Sequence, residues 1–428
     1  MVPRDSSLPR YDRDDHGGSA AAADKDLHMG EPGFLHKLVR RHRLEGVFLF
    51  ITSRCNSKCR TCFYHERLNG RDDLTFQEMK RISETAPRFD KLWLSGGEPF
   101  LREDLAEIIK LFHDNNGVKV VNLPTNGILG ERIERETERI LELCPGLTVH
   151  LNFSLDGLGK THDGNRGVPG NFAKTIRTME RIRGKYRGNP RLLQNVATVI
   201  TPEAYDELID LGAYLIKKDL VATHFYEVVR GNPRDASTKR LAPGALGALR
   251  KNSLPLINAQ AERLFSEFSG AKKWFATMFF KGFIKFVNDI QDENVQGPHP
   301  WGMSCTAGKT TLVIDANGDF RSCEMRDPVG NVREYGCDIS AVMSGDAMRG
   351  EIANVGGGYR ANCWCTHGCW VMSSIKFSPR AILFRIPAAY RRFKKQCGNE
   401  CAVPFVDADK IDGVKPVKRP GRTKTGGR

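Results

Sequence analysis

Three observations predict an α/β fold built as a parallel barrel or partial barrel. Between Gly46 and Gly231 short apolar runs alternate with stretches of helical period, six times over. Turns rich in Cys, Gly, Asn and Asp follow the strand-like runs, where the loops at the C-terminal ends of parallel strands carry function. A second Cys-rich region starts only after a long helical stretch, near Trp301, which predicts a smaller second domain.

The strands expected are 47–52, 91–95, 119–123, 148–154, 193–200 and 223–229, each apolar and rich in β-branched or aromatic residues. Helices are expected at 75–85, 104–115, 131–143, 171–186 and 202–217. Thr75 with Glu78 three residues on reads as a capping box that starts the first of them. Residues 242–290 read as helical and join the two halves. Within them Phe275, Phe279, Phe283 and Phe286 recur at helical spacing among lysines, which suits a helix packed on the barrel or an interfacial one. The expected division is a disordered basic tail at 1–43 with a short helix at 35–43, a barrel core at 44–232, a helical linker at 233–300, a Cys-rich domain with a basic arm at 301–402, and a disordered basic tail at 403–428.

The chain has 428 residues and a formal charge of +14. From Lys376 onward fourteen Lys and Arg face four acids, a balance of +10, so the rest contributes only +4. The charge therefore describes an arm and not the barrel. No apolar run approaches the ~18–20 residues of a membrane span, and residues 1–30 lack the apolar centre of a signal peptide, so a cytoplasmic protein is expected. Clustered cysteines suit metal binding better than a disulfide framework. Cys144, between Leu143 and Pro145, reads as a buried apolar residue.

The densest signal is Cys55-Asn56-Ser57-Lys58-Cys59-Arg60-Thr61-Cys62, directly after the first strand. These spacings let one loop turn three thiolates toward one inorganic centre. A structural zinc wants four closed ligands, with His65 the nearest fourth; an iron–sulfur cube held by three leaves one iron open. After the second strand comes Gly96-Gly97-Glu98-Pro99, after the third Thr125-Asn126-Gly127, and after the fourth Ser154-Leu155-Asp156-Gly157. With the CxxxCxxC loop these motifs, in this order, resemble the radical S-adenosylmethionine (radical SAM) enzymes.

The resemblance covers about 46–369 and implies a partial (β/α)6 TIM-like barrel. It implies a [4Fe-4S] cluster on Cys55, Cys59 and Cys62 and S-adenosylmethionine (SAM) on its open iron. Gly96, Gly97 and Glu98 would then meet the SAM amino group, and Asn126, Ser154 and Asp156 would serve the rest of the cofactor. The position before the third cysteine is often aromatic in that family; here it is Thr61, so adenine packing falls to the backbone, Phe63 or Tyr64. The implied reaction is reductive cleavage of SAM to a 5′-deoxyadenosyl radical that takes hydrogen from substrate. An electron donor such as flavodoxin or ferredoxin is implied as well.

Cys305, Cys323, Cys363, Cys365 and Cys369, with the turn Asp315-Ala316-Asn317-Gly318 before Cys323, resemble the SPASM or twitch extensions of that family, which hold auxiliary [4Fe-4S] clusters. The full seven-cysteine pattern is not met. One four-thiolate cluster on Cys305, Cys323, Cys365 and Cys369 is expected, with Cys363 the competitor and zinc the alternative metal. His367 reads as a neighbour of the ligands, and Cys397 and Cys401 as peripheral. The arm at 377–395 mixes apolar and cationic residues without an acid; Pro387 is expected to split it into two short helices. An anionic membrane, at the inner face, suits it better than nucleic acid. No catalytic side chain is legible. A carbohydrate or lipid-linked substrate undergoing oxidation or rearrangement is the first reading; peptide modification, or a non-catalytic metal-binding or RNA-associated regulator, are the others.

Overall fold

The computed structural model describes residues 44–355, 363, 365–398, 401–408 and 411. Six parallel strands, β1 (Gly46–Thr52), β2 (Lys91–Gly96), β3 (Val120–Thr125), β4 (Thr148–Ser154), β5 (Leu192–Ile200) and β6 (Thr223–Val228), pair in chain order. The period of two sorts their side chains. Val47, Leu49 and Ile51 of β1 enter a core with Met79, Ile82, Ile108 and Phe112 of the outer helices. Phe48 and Phe50 point the other way, into a second core with Tyr64, Trp301 and Trp370. The inner face of the sheet is thus a lumen, covered by the C-terminal half of the chain.

That half does not form a detached domain. Strand β7 (Thr311–Ile314) pairs in parallel with β1, from Gly46 opposite Thr311 to Leu49 opposite Ile314. It turns back through antiparallel β8 (Asp319–Arg321) and β9 (Gly330–Asn331), giving one nine-stranded sheet. The partial barrel would otherwise leave β1 as an open edge of unpaired backbone groups, which natural sheets cover. The helices fall close to their expected places. Thr75 accepts from the Glu78 backbone N–H at 3.2 Å while the Glu78 carboxylate accepts from the Thr75 N–H at 2.7 Å, the reciprocal box that the sequence implied. Within the barrel one helix was not expected, Gly159–Arg166, whose polar sequence carries no apolar period.

Helices Ala245–Asn252, Leu254–Leu264 and Gly270–Gln296 make the linker. Phe286 of the long helix is buried and Phe279 and Phe283 are half-buried against the second core, so the packed reading holds there; Phe275 stays exposed. Two expectations about the arm are corrected. Pro387 does not divide it: a π-helical turn, Ala381–Arg385, runs directly into helix Ile386–Cys397, and the widened turn accommodates Pro387 without a break. Nor does disorder begin at 403. Val403 and Val406 pack against the cluster of Ile200, Leu208 and Tyr226, Ala408 and Ile411 are buried, and Lys217 Nζ donates to the Val406 carbonyl at 2.8 Å. The expectations for 1–43 and 412–428 lie outside the described residues. Among the described residues no helix is long and apolar enough to cross a membrane.

The long helix and Ile386–Cys397 cross at Gly282, where an added Cβ would stand 2.6 Å from the Ile386 carbonyl. Gly282→Leu is expected to force the pair apart and cost ~1–3 kcal/mol, read as a lowered thermal midpoint.

Candidate metal centre

Residues 53–62 leave the C-terminal end of β1 as a loop that neighbouring strand ends hold from several sides. The Cys55 N–H donates to Asn69 Oδ1 at 3.1 Å, and the Lys58 and Arg60 N–H groups donate to the Arg166 and Asn165 carbonyls at 2.9 Å each. Cys55, Cys59 and Cys62 are all half-buried. Burial pushes the Cys55 thiol up to about 11 and raises that of Cys62, with Cys59 adding repulsion at both, so the three sulfurs share one electrostatic neighbourhood. The N–H of Ser57 turns toward Cys55 and that of Tyr64 toward Cys62, each favouring a thiolate. Arg166, buried beside fully buried Asp156 at 2.7 Å, directs Nη1 at Cys59 Sγ, 3.6 Å away. These are donors suited to anionic sulfur, as iron–sulfur ligation requires.

A single zinc fits less well. Its sulfurs must lie about 2.3 Å from one shared centre, and among the described residues no three His, Cys, Asp or Glu side chains converge on such a point. His65 begins the short turn His65–Arg67. A cube spreads its thiolates wider than one ion does.

The glycine motif does more than leave room for a ligand. An added Cβ would lie 2.2 Å from the Thr52 carbonyl at Gly96 and 2.0 Å from the Arg54 carbonyl at Gly97, and Gly96 has φ +133°. The backbone of β2 therefore touches the cysteine loop itself, with Gly97 N–H to Thr52 and Glu98 N–H to Arg54, both 2.8 Å. Glu98 is buried and accepts from the Asn126 N–H at 2.8 Å and the Thr125 hydroxyl at 2.9 Å. Asn126 in turn donates to Asn56 Oδ1 at 2.6 Å and Ser57 Oγ at 3.2 Å. Glu98 and Asn126 thus brace the loop.

Two expected cofactor contacts sit elsewhere. Asp156 has no exposed surface; Asn165, the Val199 N–H and Arg166 consume its oxygens, because a buried carboxylate needs such partners. It positions Arg166. Tyr64 lies 4.7 Å from Phe50, centroid to centroid, and accepts from the Ala316 N–H at 3.4 Å, so it faces the C-terminal hairpin. Ser154 is half-buried at the end of β4 on the lumen side. Arg166 escaped the sequence reading; a buried Arg on an apolar-poor helix gives no local signal.

The second cysteine set is also brought together. Cys305 and Cys323 are buried, and Cys363, Cys365 and Cys369 are half-buried. Cys305 feels Cys363; Cys323 feels Cys365 and Cys305; Cys365 feels Cys305 and Cys363. Cys369 instead faces Arg230, Glu324 and Glu227. Here too the N–H two residues on turns to the sulfur: Met325 to Cys323 at 3.4 Å, His367 to Cys365 at 3.3 Å, and Ala307 to Cys305. Cys397 and Cys401 are bonded to each other at the end of the last helix, and Cys144 is buried among apolar residues.

Charged side chains stand between the two sets. Arg230 lies over the Phe63 ring at 5.4 Å, with Nη1 2.8 Å from His367 Nε2, which also contacts Glu324. Burial holds His367 below its usual range, so the ring is neutral at pH 7.

Comparison with known proteins agrees with this geometry. Residues 49–215 match the Radical SAM superfamily. A molybdenum cofactor biosynthesis protein, moc-5 of Caenorhabditis elegans, is 29% identical over 186 residues, covering 42% of this chain and 29% of that protein. A probable GTP 3′,8-cyclase of Methanocaldococcus jannaschii is 38% identical over 119 residues, covering 27% and 37%. The chain thus spans about a third of the length of these curated relatives. Among solved structures, anSMEcpe with bound AdoMet and Cp18Cys peptide aligns with a TM-score of 0.53 at 16% identity, over 83% of this chain and 97% of that one. SuiB of Streptococcus suis bound to precursor peptide SuiA gives 0.50 at 17%, over 82% and 78%. A parallel partial barrel with a three-cysteine loop at the end of its first strand defines a radical SAM domain. Residues 49–215 thus form a radical SAM domain; members of that superfamily use a [4Fe-4S] cluster and SAM, and the residues around Cys55, Cys59 and Cys62 fit that pair.

Burial raises the Glu98 carboxyl to about 7, against an ordinary 4.5. The folded state then holds a proton that the unfolded state releases, so stability falls as pH rises between 4.5 and about 7. The span corresponds to on the order of 3 kcal/mol. Urea unfolding of the metal-free chain across that window is expected to show this slope, and Glu98→Gln to flatten it.

Proposed function

We propose that the chain is a radical SAM enzyme acting on a polar, hydroxyl-bearing substrate in the barrel lumen, with an auxiliary iron–sulfur cluster on its second cysteine set. When bound, the first cluster and SAM supply a 5′-deoxyadenosyl radical that takes hydrogen from a substrate C–H bond. The protein's own part is to hold, orient and exclude water. Gly96, Gly97, Glu98 and Asn126 keep the cysteine loop in place at the mouth of the lumen, and Ser154 offers a hydroxyl there. Arg166 carries the positive charge against Cys59.

The observation that carries the substrate reading is the lumen wall. Asn195 Nδ2 donates to Asn152 Oδ1 at 3.1 Å, and the Thr223 hydroxyl donates to Asn195 Oδ1 at 2.8 Å, in one register layer across β4, β5 and β6. Asn122 and Glu227 also face the lumen from β3 and β6. On the other wall Phe48 stacks on Trp93 with centroids 4.6 Å apart. Amides facing an aromatic wall suit hydroxyl groups on a ring face, as in a carbohydrate. A peptide is the second reading, favoured by the peptides in the two structures of like fold.

For the auxiliary cluster, Cys305, Cys323 and Cys365 are the shared ligands. Mutual proximity favours Cys363 as the fourth over Cys369, which faces Arg230. Such a cluster would accept an electron from the substrate and make the net reaction an oxidation. A small iron–sulfur or flavin protein would reduce the first cluster.

Anaerobic reconstitution is expected to load about eight irons per chain, falling to about four in a Cys55/Cys59/Cys62→Ala variant. A fall from about four to none would confine iron to the first set. With a strong reductant the wild type should release 5′-deoxyadenosine and Cys59→Ala none; failure of the wild type overturns the enzyme reading. Deuterium transfer into 5′-deoxyadenosine from deuterated sugar-nucleotide or peptide pools separates the substrates. Asn152→Leu should lower transfer from the former at least about tenfold.

A further inference from the structure

One amphipathic helical run is left half-covered. Along 380–395 the residues Ala381, Ile386, Ala389 and Phe393 are buried against the body of the protein. Arg380, Leu383 and Phe384, and one to two turns further on Arg391, Lys394 and Lys395, are all exposed, the members of each group within about one turn of one another, on the opposite face. Leu383 and Phe384 are 63% and 68% exposed, although most large apolar side chains in the chain are buried. The π-helical turn Ala381–Arg385 places them there. Pro387 has no N–H for the carbonyl four residues before it, at Leu383, and the helix widens at that point.

The charge on this face has one sign. Between Lys376 and Gln396 there are seven Lys and Arg and no acid. Arg385 and Arg392 are engaged within the protein, Arg385 over the Phe286 ring and Arg392 with Asp289 at 2.7 Å. Arg380, Arg391, Lys394 and Lys395 point outward with no ion pair among the described residues.

We propose that this face docks on an anionic phospholipid surface. Leu383 and Phe384 enter the boundary between headgroups and acyl chains, and Arg380, Arg391, Lys394 and Lys395 meet lipid phosphates. The pairing of adjacent aliphatic and aromatic side chains with flanking cations fits a lipid interface. A nucleic acid would use the cations and stack on Phe384 but has no place for Leu383. A second copy of the chain would set like charges against one another.

The test is sedimentation of the full-length chain with phosphatidylcholine vesicles and with equimolar phosphatidylcholine–phosphatidylglycerol vesicles. Binding is expected only to the mixed vesicles and to weaken with salt. Arg391→Gln/Lys394→Gln/Lys395→Gln and Leu383→Ser/Phe384→Ser are each expected to weaken it about tenfold or more. Far-ultraviolet circular dichroism and iron content should stay at wild-type values, which separates loss of docking from loss of fold. Equal retention of the Leu383→Ser/Phe384→Ser variant on mixed vesicles overturns the proposal. So does binding lost only on deleting 412–428, or tighter retention on single-stranded RNA that this double variant leaves unchanged.

Discussion

Where β2 ends, its backbone lies against the backbone of the cysteine loop, and no side chain fits between them. Gly96 and Gly97 allow that approach, since a Cβ on either would sit within 2.2 Å of a carbonyl oxygen. The contact fixes the loop that carries Cys55, Cys59 and Cys62 relative to the second strand. Glu98 extends the constraint to the third, through the Asn126 N–H, and Asn126 returns it to Asn56 and Ser57 in the loop. Arg166 brings in the fourth strand end by joining Asp156 to Cys59. Four successive strand ends thereby share one closed network, and the thiolates are placed before any metal arrives. Preorganisation of this kind lowers the cost of ordering the ligands on binding.

The two cysteine sets follow one local rule. In Cys55, Cys62, Cys305, Cys323 and Cys365 the backbone N–H two residues on turns toward the sulfur. Without a cation, burial keeps these groups as thiols. A bound metal reverses the balance, because the same N–H dipoles then stabilise the thiolates. Each set also has an arginine beside it, Arg166 at the first and Arg230 at the second, which offsets part of the negative charge that an anionic cluster would bring indoors.

Most of the barrel was legible because its strands read as short runs rich in apolar residues between stretches of helical period, and the capping box at Thr75 and Glu78 marked its helix. The cysteine loop was legible because its spacing is chemical. Helix Gly159–Arg166 was not, having almost no apolar residue to set a period. The partners of Glu98, Asp156 and Tyr64 were not legible for a common reason. Each carries a side chain that could meet a cofactor, but its partner lies far along the chain: Asn126 for Glu98, Val199 for Asp156 and Ala316 for Tyr64. Spacing within a motif says nothing about such pairings. The same blindness hid the parallel pairing of β1 with β7, some 260 residues apart in sequence.

That pairing makes the second Cys-rich region part of the barrel. Directly after Cys62, Tyr64 accepts from the Ala316 N–H and Arg67 contacts Asp315, both in the turn that leads to Cys323. Arg333 reaches back to Glu78 and Asp72. Phe48 and Phe50, facing the lumen from β1, lean on Trp370 and Tyr64. The loop of the first set and the hairpin that leads to Cys323 are therefore tied through few intervening residues, at one end of one sheet. Their separation is set by sheet geometry, not by a flexible linker. The insert at 233–300 belongs to the same frame: the Arg234 N–H donates to the Cys62 carbonyl at 3.0 Å, and Gln291 Nε2 donates to the Thr366 carbonyl at 2.9 Å, beside Cys365.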